Sequence, residues 1–143
     1  MAMEERPKTR RGERGAVTVE FILTATLLFL ILFSMVEFAF IFNAKLIMTG
    51  AAREGARRAA VTGGATPEAY SCIQEYLVLG GIQPGEVATT IEPRQASYGT
   101  AIRVRLVYEY PVITVFLRPI VGESLILTAE VLSRGEKVRA TDG

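Results

Sequence analysis

Residues 15–42 read GAVTVEFILTATLLFLILFSMVEFAFIF. From Phe21 to Val36 no side chain carries a charge, Glu37 interrupts, and Phe38 to Phe42 resumes the apolar character. Crossing the hydrocarbon core of a bilayer takes about 20 mostly apolar residues in a helix. Residues 16–42 meet that length with room for tilt, so the stretch predicts a membrane-inserted helix. Its two carboxylates, Glu20 near the start and Glu37 near the end, need explaining. A carboxylate at the centre of a membrane helix costs about 2.5–3.5 kcal/mol on insertion scales, and such a cost usually marks a partner or a function. Glu37 has two readings. Either it is paired, or it lies about 10 Å beyond the centre of the span, close to the outer interface, where the cost is much smaller.

Upstream, residues 1–15 (MAMEERPKTRRGERG) hold five basic side chains, Arg6, Lys8, Arg10, Arg11 and Arg14, against Glu4, Glu5 and Glu13. They have nothing to bury and are expected to be disordered. Set directly before an apolar run, they look like the basic region of a targeting segment. An ordinary secretory signal has a shorter apolar core followed by small residues at a cleavage site; here the run continues past Glu37 and no such site ends it. The tight basic cluster favours the N-terminus inside, although Lys45, Arg53, Arg57 and Arg58 follow the span within about 20 residues and weaken that bias.

Downstream, the helix is expected to continue beyond the bilayer. Residues 43–61 contain no proline and many alanines, the residue with the best helix propensity. Glu54 and Arg58 are spaced as a favourable i,i+4 pair. Ala52, Ala56, Ala59 and Ala60, with Gly55 nearby, form a stripe of little bulk that lets another helix approach closely. The stripe suits either a stalk packed on its own domain or packing between subunits. Gly63 and Gly64 end the helix. Counted from Ala16 to Thr62, it would be about 70 Å long, more than twice the hydrocarbon thickness.

The chain has 143 residues, so only one small globular domain can follow, over residues 63–143. Thr66 is placed to cap a second helix with Pro67 at its first position. Ala69, Tyr70, Ile73, Tyr76 and Leu77 recur at helical spacing, and Gly80 and Gly81 stop the helix. Strands are expected at 86–92, 100–110 and 124–134. The second alternates cleanly, with Ile102, Val104, Leu106, Tyr108 and Tyr110 on one face and Arg103, Arg105 and Glu109 on the other. Between the last two lies PVITVFLRPIV (111–121), an apolar stretch bounded by prolines. The fold class is α+β: a long N-terminal membrane helix, then one helix on a three- to four-stranded antiparallel sheet.

The composition argues against catalysis. There is no histidine, so the usual neutral-pH general base and commonest metal ligand is missing. Cys72 is the single cysteine, which excludes an intrachain disulfide. It reads as a small buried apolar residue, an interchain bridge being the alternative. GGIQPG (80–85) lacks the Lys-Ser/Thr ending of a phosphate loop and reads as a turn. No metal-ligand cluster, cofactor motif or small-molecule site is readable, and a net charge of +1 gives no reason to expect nucleic acid. An enzyme is not expected.

Two motifs carry a resemblance. A basic leader ending in Gly15, then Ala16-Val17-Thr18-Val19-Glu20-Phe21 and an apolar run, resembles the processing site of type IV pilin-like prepilins. The Glu-Phe pair is similar to the variant of the Flp/Tad (tight adherence) branch. Gly50-Ala51-Ala52-Arg53-Glu54-Gly55-Ala56-Arg57 resembles the AAREGAR signature of TadE-like proteins, minor pilin-like subunits of Tad pilus systems. Arg58 and the following alanines stand where an aromatic is often seen, a minor departure. The resemblance covers residues 10–61. It implies cleavage between Gly15 and Ala16 by a prepilin peptidase, which leaves glutamate as the fifth residue of the mature chain. Its implied partners are that peptidase, other pilin or pseudopilin subunits and membrane lipid. It also implies insertion in a bacterial inner membrane with the C-terminal domain periplasmic or on a cell-surface pilus. Cleavage would create an α-ammonium at the start of an apolar helix, where an uncompensated charge is costly. Glu20, about one turn along, could pair with it in its own or a neighbouring subunit, with Phe21 beside it. Ala52, Arg53, Glu54, Gly55, Ala56 and Arg57 form the expected helix-packing motif. Without processing, the same sequence would suit a single-pass anchored periplasmic binding domain.

Overall fold

The computed structural model describes residues 11–136, with side chains described from Gly15 onward. The first helix, α1, runs Arg11–Thr62. Residues 11–15, expected to be disordered, are therefore its first turn; the rest of the basic leader and residues 137–143 lie outside the described residues. The chain divides into two compact units, Met1–Val36 and Glu37–Gly143. Within the first, the side chains of the uncharged run are exposed, Phe21 at 71 % and Leu28 at 65 %. A helix apolar around its whole surface is suited to lipid or to other helices rather than to water.

The second unit is built from the C-terminal half of α1, a helix α2 (Pro67–Leu79) and three strands, β1 (Val87–Glu92), β2 (Ala101–Pro111) and β3 (Ser124–Arg134). The ends of the helices follow the sequence signals. Gly63 and Gly64 take φ of 92° and 119°, and both their N–H groups donate to the Ala59 carbonyl, closing α1. Thr66 accepts a hydrogen bond from the Ala69 N–H at 3.4 Å, and Pro67 fills the first position of α2. The strands form one antiparallel sheet in the order β1-β2-β3, with Thr89 opposite Leu106 and Leu106 opposite Ala129. The first two strands begin one residue later than expected. Pro111 is the last paired residue of β2, opposite Ser124, so it closes the strand from within.

Period-two alternation puts Ile102, Val104, Leu106, Tyr108 and Tyr110 on the buried face of β2. Arg103 and Arg105 lie on the exposed face, where Arg103 Nε is 3.3 Å from Glu130 Oε1. The buried face joins Val87, Ile91, Ala129 and, from α2, Ala69, Ile73 and Leu77 in one core, with Tyr70 partly buried against it; Tyr76, which the helical spacing also expects to face the core, is instead exposed. Fully burying a side chain such as Ile73, Leu77, Ile102 or Leu106 contributes about 1.5–3 kcal/mol. The same core includes Ala44, Met48, Ala51, Ala52, Ala56, Ala59 and Ala60 of α1. The small-residue stripe is thus packed on its own domain, and the compact unit takes in residues 37–62 as well as 63–143. Between β2 and β3, the proline-bounded stretch forms a 3-10 turn at Val115–Leu117 and a single helical turn, α3 (Arg118–Val121).

Candidate functional site

Three groups of residues carry the functional reading. The first is the start of α1. Gly15, Ala16, Glu20 and Phe21 are all exposed. A Cβ added to Gly15 would meet no other side chain or more distant backbone within 4 Å. These residues share one helical stretch, four to six positions apart, and no described side chain covers them.

The second group is the alanine- and glycine-rich segment. Ala51, Ala52 and Ala56 are buried, and a Cβ added to Gly55 would overlap the Ile73 side chain of α2. One on Gly50 would meet the Tyr76 ring, with its Cε1 and Cζ at 2.7 Å. The glycines therefore let α2 lie directly against α1. Arg53 and Arg57 point to solvent, while Glu54 is half-buried between them. Its ion pair is with Arg57, three residues on, and not with Arg58 as the i,i+4 spacing predicts; Arg57 Nε donates to Glu54 Oε2 at 3.0 Å. Both spacings are geometrically open on a helix. The bond to Arg57, more than the nearby positive charges, holds the Glu54 carboxyl below its ordinary range. Cys72 is half-buried rather than fully buried, with Sγ 3.9 Å from Glu54 Oε1. It borders an open groove of about 380 Å³ lined also by Arg58, Pro67, Glu68, Ser71 and Glu75. Among the described residues, no three His, Cys, Asp or Glu side chains converge as metal ligands.

The third group was not legible as a group. Glu37 is 4 % exposed and is the only buried charged side chain among the described residues. Its two oxygens accept the backbone N–H groups of Ile113 at 3.0 Å and Thr114 at 2.8 Å. Protein donors satisfy the carboxylate, which is the paired reading of Glu37. Hydrogen bonds to an ionised group are about twice as strong as neutral ones. Tyr110 has a buried hydroxyl with no hydrogen bond of good geometry. Burial and then the Glu37 charge push its pKa up to about 12. On the other side of the loop, Arg118 Nε donates to the Val112 carbonyl at 3.1 Å. The sequence signal for this arrangement was the uncharged, proline-bounded character of 111–121; nothing local in it names Glu37, 76 residues away.

A long apolar helix that continues into the core of a small α+β domain suits anchoring in a membrane through that N-terminal helix. In the family comparison, residues 15–57 match the model of the TadE-like protein family. That range takes in Gly15, the apolar run, Glu37 and the segment through Arg57. The match covers less than a third of the chain and agrees with the resemblance carried by the two motifs. No curated protein and no solved structure matches the chain.

Proposed function

We propose that this chain is a TadE-like minor pilin or pseudopilin that is cut between Gly15 and Ala16 by a prepilin peptidase and takes part in assembling a Tad pilus. In this reading the N-terminus faces the cytoplasm, residues 16–42 of α1 span the inner membrane, and the domain stands in the periplasm or on the filament. The observation that carries it is the pairing of two motifs within one matched segment, Gly15 to Phe21 and Gly50 to Arg57. The exposed setting of Gly15 and Glu20 supports it, since a processing site and an intersubunit contact must both be reachable. Because the small-residue stripe is packed on the chain's own domain, assembly would use the exposed apolar surface of α1 and the new terminus paired with Glu20.

N-terminal mass spectrometry of the membrane-extracted protein tests the processing step. The expected mature chain begins at Ala16, and a peptidase-deleted strain or a Gly15 substitution leaves the full chain. Shortening to Ala16 in the deleted strain would overturn the assignment. Glu20→Ala is expected to leave processing intact and impair assembly, separating the two roles.

A further inference from the structure

The stretch between β2 and β3 exposes more apolar surface than a loop in water needs. Val112 and Leu117 are buried and hold it to the domain, yet Ile113, Val115, Phe116, Ile120 and Val121 face outward. Phe116 is 73 % exposed and Ile120 71 %. On the exposed face of the sheet the apolar residues are instead interleaved with charge: Ile126 and Leu132 lie beside Arg103, Arg105, Glu109 and Glu130. From Val112 to Val121 the single charged side chain is Arg118. Exposed apolar surface concentrated in this way marks a contact with a partner or a membrane.

Its location selects the membrane. The Ile113 and Thr114 amides are bonded to Glu37, and Glu37 directly follows Val36, the last residue of the uncharged run. Val115 and Phe116 are one and two residues beyond Thr114, so their backbone is at most about 7 Å further away. The helix itself stays apolar and exposed immediately beyond Glu37, at Phe38, Phe40 and Phe42. A loop tied to this level of α1 meets whatever surrounds that part of the helix.

We propose that Val112–Val121 is a second membrane-contacting element, a short apolar loop whose exposed side chains enter the boundary between headgroups and acyl chains, with Glu37 fixing it to α1 where the helix leaves the bilayer. The occupant of this surface is lipid. Arg118, at the edge of the apolar patch, supplies a cation for anionic headgroups, in the manner of interfacial segments that combine an apolar face with basic residues. Glu37 then has a role beyond being tolerated near a membrane: its charge is spent on backbone donors that would otherwise be desolvated at the interface. The loop holds the domain against the bilayer and limits how freely it turns about its anchor.

This inference rests on reading residues 16–42 as a membrane span, and the experiment reports the two separately. The chain contains no tryptophan, so a single substitution gives a site-specific signal. The full chain carrying Phe116→Trp, Ile120→Trp, Leu30→Trp or Tyr98→Trp is reconstituted in vesicles of phosphatidylethanolamine and phosphatidylglycerol, with and without brominated acyl chains. Leu30→Trp reports the span, and Tyr98→Trp, before the opposite end of β2, reports water. Phe116→Trp and Ile120→Trp are expected to emit to the blue of Tyr98→Trp and to lose intensity with brominated lipid. If Leu30→Trp is quenched while both loop variants emit and resist quenching like Tyr98→Trp, the loop lies in water and the proposal fails. Protection of the loop variants from aqueous iodide without quenching by brominated lipid would assign the surface to a second copy or another protein, and would also overturn it. Failure of Leu30→Trp alone to be quenched would remove the span, and with it the loop's reason to meet lipid.

Discussion

At the scale of single residues, Gly55 and Gly50 separate two effects that both favour or oppose alanine. Replacing a helical glycine by alanine gains about 1 kcal/mol of helix propensity. At Gly55 the new methyl would strike the Cγ1 and Cδ1 atoms of Ile73, a fully buried, β-branched side chain that cannot swing away. Overpacking of this kind costs typically about 1–3 kcal/mol, so Gly55→Ala is expected to destabilise the domain. At Gly50 the obstacle is the end of the Tyr76 ring, and Tyr76 is 42 % exposed and free to rotate outward. Gly50→Ala is expected to be close to neutral. Thermal unfolding of the two variants in detergent should show a clearly lower midpoint for Gly55→Ala; the reverse order would mean that α2 is not seated as described. Tyr110 gives a pH-dependent counterpart. Its folded pKa of about 12 lies above the ordinary value near 10. Folding therefore favours the neutral phenol, a contribution fully present below pH 10. Between about pH 10 and 12 the unfolded chain ionises this group while the folded chain does not, so stability falls by an amount on the order of 2 kcal/mol. Tyr108, also raised chiefly by burial, adds to the same alkaline loss. Tyr110→Phe removes a buried hydroxyl that lacks a hydrogen bond of good geometry, so it is expected to keep or raise stability at neutral pH and to flatten part of the alkaline decline. An unchanged alkaline slope in the variant would contradict this.

At the scale of elements, the sequence shows periodicity and punctuation well and shows partners poorly. The 3.6-residue recurrence of Ala69, Ile73 and Leu77, the alternation from Ile102 to Tyr110 and the glycine pairs after Thr62 and Leu79 each have one local cause, and the elements form where those causes predict. The stripe from Ala52 to Ala60 was equally readable, but not its partner, because small residues permit close approach without specifying what approaches. Glu37 was readable as an anomaly. Its donors were not, since backbone N–H groups have no sequence signature and the ones it uses come from a loop that lacks regular structure at Ile113 and Thr114. Substituting Glu37 tests the pairing. Glu37→Gln keeps one acceptor and turns an NH2 group toward the other donor; Glu37→Ala removes both. An unsatisfied buried donor costs about 1–3 kcal/mol, so both variants are expected to lower stability, alanine at least as much as glutamine. The loss should appear as earlier proteolysis within 112–122 and a reduced unfolding midpoint in detergent. Wild-type values for both variants would reduce Glu37 to an incidental contact.

At the scale of the whole molecule, α1 serves two units, and the boundary between them falls inside the helix rather than at its end. Every residue of the core cluster lies between Ala44 and Ala129, and seven of them are on α1. The helix up to Val36 contributes none, so a chain starting at Glu37 retains the complete core. It is expected to fold cooperatively once detergent covers Phe38, Phe40, Phe42 and Leu46, which are exposed in this unit. A chain starting at Gly63 loses Met48 and the alanines from Ala44 to Ala60, and leaves one side of Ile73 and Leu77 facing solvent. Deleting a single large buried side chain already costs about 2–5 kcal/mol, against a total stability for a domain of about 5–15 kcal/mol, so removing the whole helical strip is expected to abolish folding. Circular dichroism and thermal unfolding of the two truncations, compared in the same detergent, decide the matter. A cooperative transition for both would mean that α1 is only a tether and that residues 63–143 hold the domain alone. A transition confined to the longer one would show that the segment carrying the TadE-like match is also the structural spine of the domain. In that case a substitution in the AAREGAR segment could disturb assembly through folding alone, and Gly55→Ala must be checked for stability before any assembly defect is read as a lost contact between subunits.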